Sequence, residues 1–145
     1  MSQQTRMVWL KVACVVLIGF GLLSLTGSLA ATGALGRIFA DLAFWPLDGL
    51  PGNAVPEVRL LWAINSGCLV GWGLLIWQLV TRLYPREPAL ARSMILISIG
   101  AWFLLDSGGS ILAGAPMNAL YNVGFLLLFY VPLLGSRSEQ SNQNA

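Results

Sequence analysis

The chain has 145 residues, of which 57% are hydrophobic and 10% charged, with a formal net charge of +2. Such a composition belongs to integral membrane proteins and leaves no length over for a separate soluble domain. The basic residues are scattered and no basic patch interleaves with aromatics, so nucleic-acid binding has no footprint. Histidine is absent, which excludes His-ligated haem, His-based zinc sites, His triads and His proton switching. Cys14 and Cys68 fall in different apolar stretches. They read as small buried hydrophobes rather than as a disulfide or metal ligands, and no cofactor is called for.

The first apolar stretch, residues 12–31, is long enough to cross a bilayer, which takes about 20 apolar residues per helix. Arg6 and Lys11, the apolar core and Ser28-Leu29-Ala30 before Ala31 also resemble a secretory signal with a cleavage site. The length of the stretch and the charge balance over four spans favour an uncleaved first span. The connection that follows, 32–59, is the longest in the chain. In it Leu35, Ile38, Phe39 and Leu42 repeat at helical spacing, with Arg37 and Asp41 four apart on the other face. Two forms fit: a short amphipathic helix in the membrane interface ended by Pro46, or an irregular cap anchored by Phe44 and Trp45. Pro46, Gly49, Pro51, Gly52 and Asn53 then read as consecutive turns.

Three further spans follow at 60–80, 94–113 and 117–134. Pro56, Pro88 and Pro116 stand where first helical turns begin, and Pro85 follows the second span. Pro132 lies inside the fourth span and is expected to kink or loosen its last turn. The fold class expected is all-α: an integral membrane four-helix bundle, up-down-up-down, over residues 1–135. A polar tail, 136–145, is expected to be disordered.

With four spans, Arg6, Lys11, Arg82, Arg86, Arg92 and Arg137 share one side, and only Arg37 and Arg59 lie on the other. This positive-inside bias places both termini in the cytoplasm. Trp9, Trp77 and Tyr84 then fall near the inner interface, and Trp45 and Trp62 near the outer one. Each span also carries a glycine near its middle with an aromatic beside it: Gly19-Phe20, Gly71-Trp72, Gly100 near Trp102, and Gly124-Phe125. Gly67 and Gly71 form a GxxxG pair suited to packing within the bundle or to homodimerisation.

Asp106 is the one acidic or basic residue deep inside a span. A carboxylate at that depth costs at least ~2.5 kcal/mol of insertion energy, so it should face protein or water and marks a candidate site. Gly114-Ala115-Pro116 leaves almost no loop, so the third and fourth spans form a tight antiparallel hairpin. Counting from that turn puts Asp106 and Asn122 about 9–12 Å below its end. Asn65 and Ser24 fall at similar depth, giving a polar layer with one side chain from each span. Ser110, Asn118 and Tyr121 line the route from that layer outward, and Trp102 either donates its indole N–H or forms the floor.

Two roles fit the layer. It is either a hydrogen-bonded network that fixes helix register, at about 0.6 kcal/mol per contact in membranes, or a small ligand or proton-handling site. The network is favoured, because most transport sites carry more charges than this one. No catalytic residue is assigned: Asp106 has no second carboxylate, histidine or intramembrane lysine to work with.

In size, number of spans and cytoplasmic termini the chain resembles the small four-span bacterial inner-membrane proteins, DoxX-like proteins among them. The segments that would identify relatives are GCLVGWG (67–73), WFLLDSGGS (102–110) and NALYN (118–122). The resemblance implies a layout and carries no residue roles. The function expected is that of a non-catalytic accessory or assembly partner of a larger membrane system. It would sit in the lipid bilayer as a homo-oligomer or beside another membrane protein. The alternative is a small transporter or ligand-binding protein centred on Asp106. A third reading places a quinone among Trp72, Trp102 and the polar layer.

Overall fold

Helix boundaries in this chain follow its caps rather than the edges of its apolar runs. The structure, a computed structural model, describes residues 1–29, 33–46 and 55–134. Helix α1 spans Gln3–Leu25 and tightens into a 3-10 turn at Thr26–Ser28. It starts nine residues before the apolar stretch because Ser2 caps it, accepting the Thr5 backbone N–H at 3.2 Å. Helix α2 covers Gly33–Phe44, α3 runs from Pro56 to Gln78 and continues as a π-helical turn at Leu79–Leu83, α4 spans Pro88–Leu112 and α5 spans Pro116–Leu134. Prolines at the first turns of α3, α4 and α5 cost no hydrogen bond there, since those N–H groups have no helical partner.

Every regular element among the described residues is helical, and four helices are long and apolar enough to cross a membrane. Of the two forms open for the long connection, the structure takes the helix, α2, which ends at Phe44 before Pro46. The expected turns at Gly49, Pro51, Gly52 and Asn53, the tail, and the Arg37 side chain lie outside the described residues.

Helix α1 lies along α3 and touches α5, while α4 pairs with α5; the backbones of α3 and α4 scarcely approach one another. The core joins Leu10, Ala13, Cys14 and Leu17 of α1 with Leu69, Ile76 and Val80, with Ala91, Ile95 and Ile99 of α4, and with Phe129 and Leu133 of α5. Tyr84 is buried in this core, and its carbonyl accepts from Gln3 Nε2 at 3.4 Å.

Most of the mid-span glycines that the sequence singles out are not the ones that matter for packing. Gly19, Gly67, Gly71 and Gly124 have open space where a Cβ would stand. The close contacts belong to Gly21, whose Cβ would lie 3.0 Å from Leu69 Cβ, and Gly73, whose Cβ would lie 2.6 Å from Ile18. These two let α1 and α3 approach, and their loss of side-chain bulk is what the interface needs. Gly100 makes room for the Tyr130 hydroxyl, which donates to Leu96 O at 2.9 Å.

Pro132 sits buried inside α5 and has no N–H, so the carbonyl four residues earlier, Leu128 O, loses its helical donor. Trp9 Nε1 of α1 donates to that carbonyl at 3.0 Å. Trp9→Phe should therefore cost about 0.5–1.5 kcal/mol. The cost should vanish in a Pro132→Ala background, where a helical N–H returns; a double-mutant cycle of unfolding free energies checks this. Arg92 Nε donates to Leu133 O at 2.6 Å and satisfies a carbonyl at the end of the same helix.

Cys14 is fully buried, as expected, whereas Cys68 faces outward from α3, contrary to expectation. In detergent, N-ethylmaleimide should add one adduct by intact mass, on Cys68, with Cys14 reacting only after unfolding. Two adducts on the folded chain would contradict the α1–α3 packing.

Candidate functional site

The site is built on the α4–α5 turn. Gly114 adopts φ +79°, a conformation open to glycine, and two bonds close the end of α4: Gly114 N to Ile111 O at 3.1 Å and Ala115 N to Ser110 O at 2.8 Å. This is the Schellman arrangement, and it locks the register of α4 against α5 within three residues. Trp102, Asp106 and Ser110 then share one face of α4, and Asn118 and Asn122 share the facing stripe of α5.

Asp106 is half-buried and receives four side-chain hydrogen bonds. Ser110 Oγ, Asn118 Nδ2 and Asn122 Nδ2 donate to its Oδ1 at 3.2, 2.9 and 2.9 Å. Trp102 Nε1 donates to Oδ2 at 3.1 Å. Asn118 Nδ2 also donates to Ser110 Oγ at 2.8 Å, and Asn122 Nδ2 to the buried Ser107 Oγ at 3.2 Å. Every group in contact donates to the carboxyl. Oδ1 is fully engaged, while Oδ2 holds a single donor and keeps room for another.

A cavity of about 840 Å³ opens beside this cluster. Asp106, Asn118, Asn122, Tyr121 and Asn65 supply its polar side. Asn65 and Tyr121 therefore reach the same space as Asp106, but neither is hydrogen-bonded to it. Ser24 does not join the layer: its hydroxyl donates to Phe20 O of its own helix at 2.9 Å, the usual local outlet for serine inside a helix. Trp102 both donates to Asp106 and contributes to the wall.

The rest of the wall is apolar, built from aromatic and aliphatic side chains together. Ring contacts run in an unbroken series from Trp62 to Phe39 (6.4 Å), Phe39 to Phe20 (5.5 Å), Phe20 to Phe125 (5.4 Å), Phe125 to Trp102 (6.2 Å) and Trp102 to Trp72 (5.5 Å). All but Trp72 line the cavity directly. Gly27 allows Trp62 its place, since a Cβ there would lie 2.7 Å from the indole ring. Trp72 closes the far end of the series by donating to Ser98 Oγ at 2.8 Å, a side-chain bridge between α3 and α4.

Sequence reasoning misses the part played by α2. Phe39, Ala40, Leu42, Ala43 and Phe44 all line the cavity, so the connecting helix forms one of its walls. The apolar stripe of α2 was visible, but the stripe does not say which helices it covers. Because α3 and α4 stay apart, the cavity lies in the space between them and the α1–α5 contact.

The lining contains one carboxyl and no lysine, arginine or cysteine among the described residues. What the lining presents is an under-used carboxylate oxygen and a sequence of π-faces. Comparison with protein-family models, curated proteins and solved structures found no match.

Proposed function

We propose that this chain is a multi-pass protein of a bacterial inner membrane that binds a small amphipathic molecule in the cavity headed by Asp106. The observation that carries this reading is the coincidence, in one space of about 840 Å³, of a single carboxyl with acceptor capacity to spare and a continuous aromatic wall. Ligand pockets typically have volumes of ~300–1,000 Å³, are mostly apolar and carry few polar groups. A network that only fixed helix register would close on itself at a helix–helix contact. Here one flank of the network is open space, and a helix from a distant part of the chain forms the opposite wall.

In this reading the four long helices form an up-down-up-down bundle with both termini cytoplasmic, in line with the six-to-two division of Lys and Arg. The first helix is retained in the working protein, since α1 supplies Leu10, Ala13, Cys14 and Leu17 to the core and Leu17 and Phe20 to the cavity.

The test uses an uncharged fluorescent probe, N-phenyl-1-naphthylamine, with the purified protein in mild detergent. Saturable one-to-one binding is expected, abolished in Ala43→Trp, which fills the cavity from α2, and retained in Leu104→Trp on the outward face of α4. Binding that ignores Ala43→Trp while the variant stays folded would overturn the reading.

A second reading, an accessory subunit beside a partner helix, is favoured by the Gly67/Gly71 face, where a Cβ at either glycine would meet nothing within 4 Å among the described residues. A stoichiometric partner recovered in mild-detergent purification would support it.

A further inference from the structure

We infer that the ligand of this cavity is an organic cation with an apolar body, its charge seated against Asp106 Oδ2 beside the rings of Trp102 and Phe125. The inference rests on the cavity being a binding site and specifies what it takes. Three observations lead to it.

The first is the charge balance. Asp106 is the sole acidic or basic side chain in the lining among the described residues, and each of its four partners is a neutral donor. A carboxylate accepts only, and this donor set treats it as one. Among the described residues no lysine or arginine of the lining answers it, so the complementary charge falls to the occupant. In an apolar setting a pair of opposite charges is far stronger than in water, which favours a cation over a neutral molecule of the same shape.

The second is the donor inventory. The two N–H groups of Asn118 go to Asp106 and Ser110, those of Asn122 go to Asp106 and Ser107, and the Trp102 N–H goes to Asp106. All five N–H groups nearest the carboxyl are thus committed. A carbonyl or anionic ligand, a quinone included, would find Oδ2 facing it and no free N–H in the cluster to receive its oxygens. Asn65 and Tyr121 remain on the wall, but both are neutral and can accept as readily as donate.

The third is the wall itself. Trp62, Phe39, Phe20, Phe125 and Trp102 follow one another in contact around the space. Aromatic faces carry partial negative charge and attract cations, organic ammonium groups above all, and they also pack against flat or branched hydrocarbon. The backbones of α3 and α4 scarcely approach one another beside this wall, and Trp72 bridges them through Ser98 and its ring contact with Trp102.

The test compares two ions of nearly equal size and shape, tetraphenylphosphonium and tetraphenylborate, as competitors of N-phenyl-1-naphthylamine on the wild-type protein. The cation should displace the probe and the anion should not. Asp106→Asn should weaken tetraphenylphosphonium at least ~10-fold more than it weakens the neutral probe. Asp106→Glu should restore most of the difference. Equal displacement by both ions, or no effect of Asp106→Asn on a folded variant, overturns the cation and leaves the cavity standing. Failure of the neutral probe to bind overturns both. The comparison of ions needs no variant, so it holds even if Asp106→Asn does not fold.

Discussion

Asp106→Leu should destabilise the protein by about 2–4 kcal/mol, more than the loss expected for Asp106→Asn. Leucine removes the acceptor of four donors at once, from Trp102, Ser110, Asn118 and Asn122. At about 0.6 kcal/mol for each contact in a membrane, the bonds alone account for about 2.4 kcal/mol. The Asn122 amide is buried and keeps only Ser107, which adds the cost of a poorly satisfied polar group. The insertion cost of the carboxylate does not offset this, because separated helices already in the bilayer bear it too. Asparagine behaves differently. Its carbonyl can stand where Oδ1 stands and keep three donors, while its NH₂ meets the Trp102 N–H donor to donor. That variant should lose about 0.5–1.5 kcal/mol. Unfolding in mixed micelles, followed by tryptophan fluorescence and circular dichroism, gives both values. Equal losses for the two variants would mean that the cluster at Oδ1 does not hold the hairpin.

Gly21→Val should cost about 3 kcal/mol, at the upper end for an overpacked interface. Even the first carbon of a side chain at Gly21 would lie 3.0 Å from Leu69 Cβ and 3.1 Å from Val70 N. One of those atoms is backbone, so α1 and α3 must separate rather than a rotamer turn. The Leu17 and Phe20 wall of the cavity would move with α1, so probe binding should fall together with stability. Gly67→Ala and Gly71→Ala supply the contrast. Both have open space, so alanine should leave the isolated chain unchanged or gain up to about 1 kcal/mol from helix propensity. The same unfolding assay separates the two sets. A large loss at Gly67 or Gly71 in the isolated chain would contradict the packing described.

The four long helices were legible because each needs only a run of apolar residues about 20 long, and the chain supplies four such runs. The arrangement of Asp106, Ser110, Asn118 and Asn122 was legible for a related reason. Positions four apart share a helix face, and a three-residue turn at Gly114 leaves no freedom to slide one helix against the other.

What stayed hidden concerns faces rather than spans. A helix in lipid is apolar all round, so its hydrophobic period does not say which side meets protein. For that reason Gly21 and Gly73 could not be told from Gly67 and Gly71, although only the first pair is covered. Trp9 and Pro132 are 123 positions apart, and nothing local connects an indole N–H to a carbonyl freed by a proline. The cavity was invisible for the same reason. It exists only once Phe39 of α2 stands between Phe20 of α1 and Trp62 of α3, a meeting of three helices that no local pattern encodes. Ser24 shows the opposite error: depth alone placed it in the layer, but its hydroxyl had a nearer acceptor in its own helix.

The central claim is that a ligand occupies the space between α2 and the Asp106 cluster. Photolabelling with a benzophenone-bearing quaternary ammonium, followed by peptide mass spectrometry, locates the occupant directly. The account predicts label on Phe39–Phe44 of α2 and around Trp62, Trp102 and Phe125, competed by tetraphenylphosphonium. Label confined to the outward faces of α4, at Ile97, Leu105 and Leu112, and indifferent to competitor would contradict it.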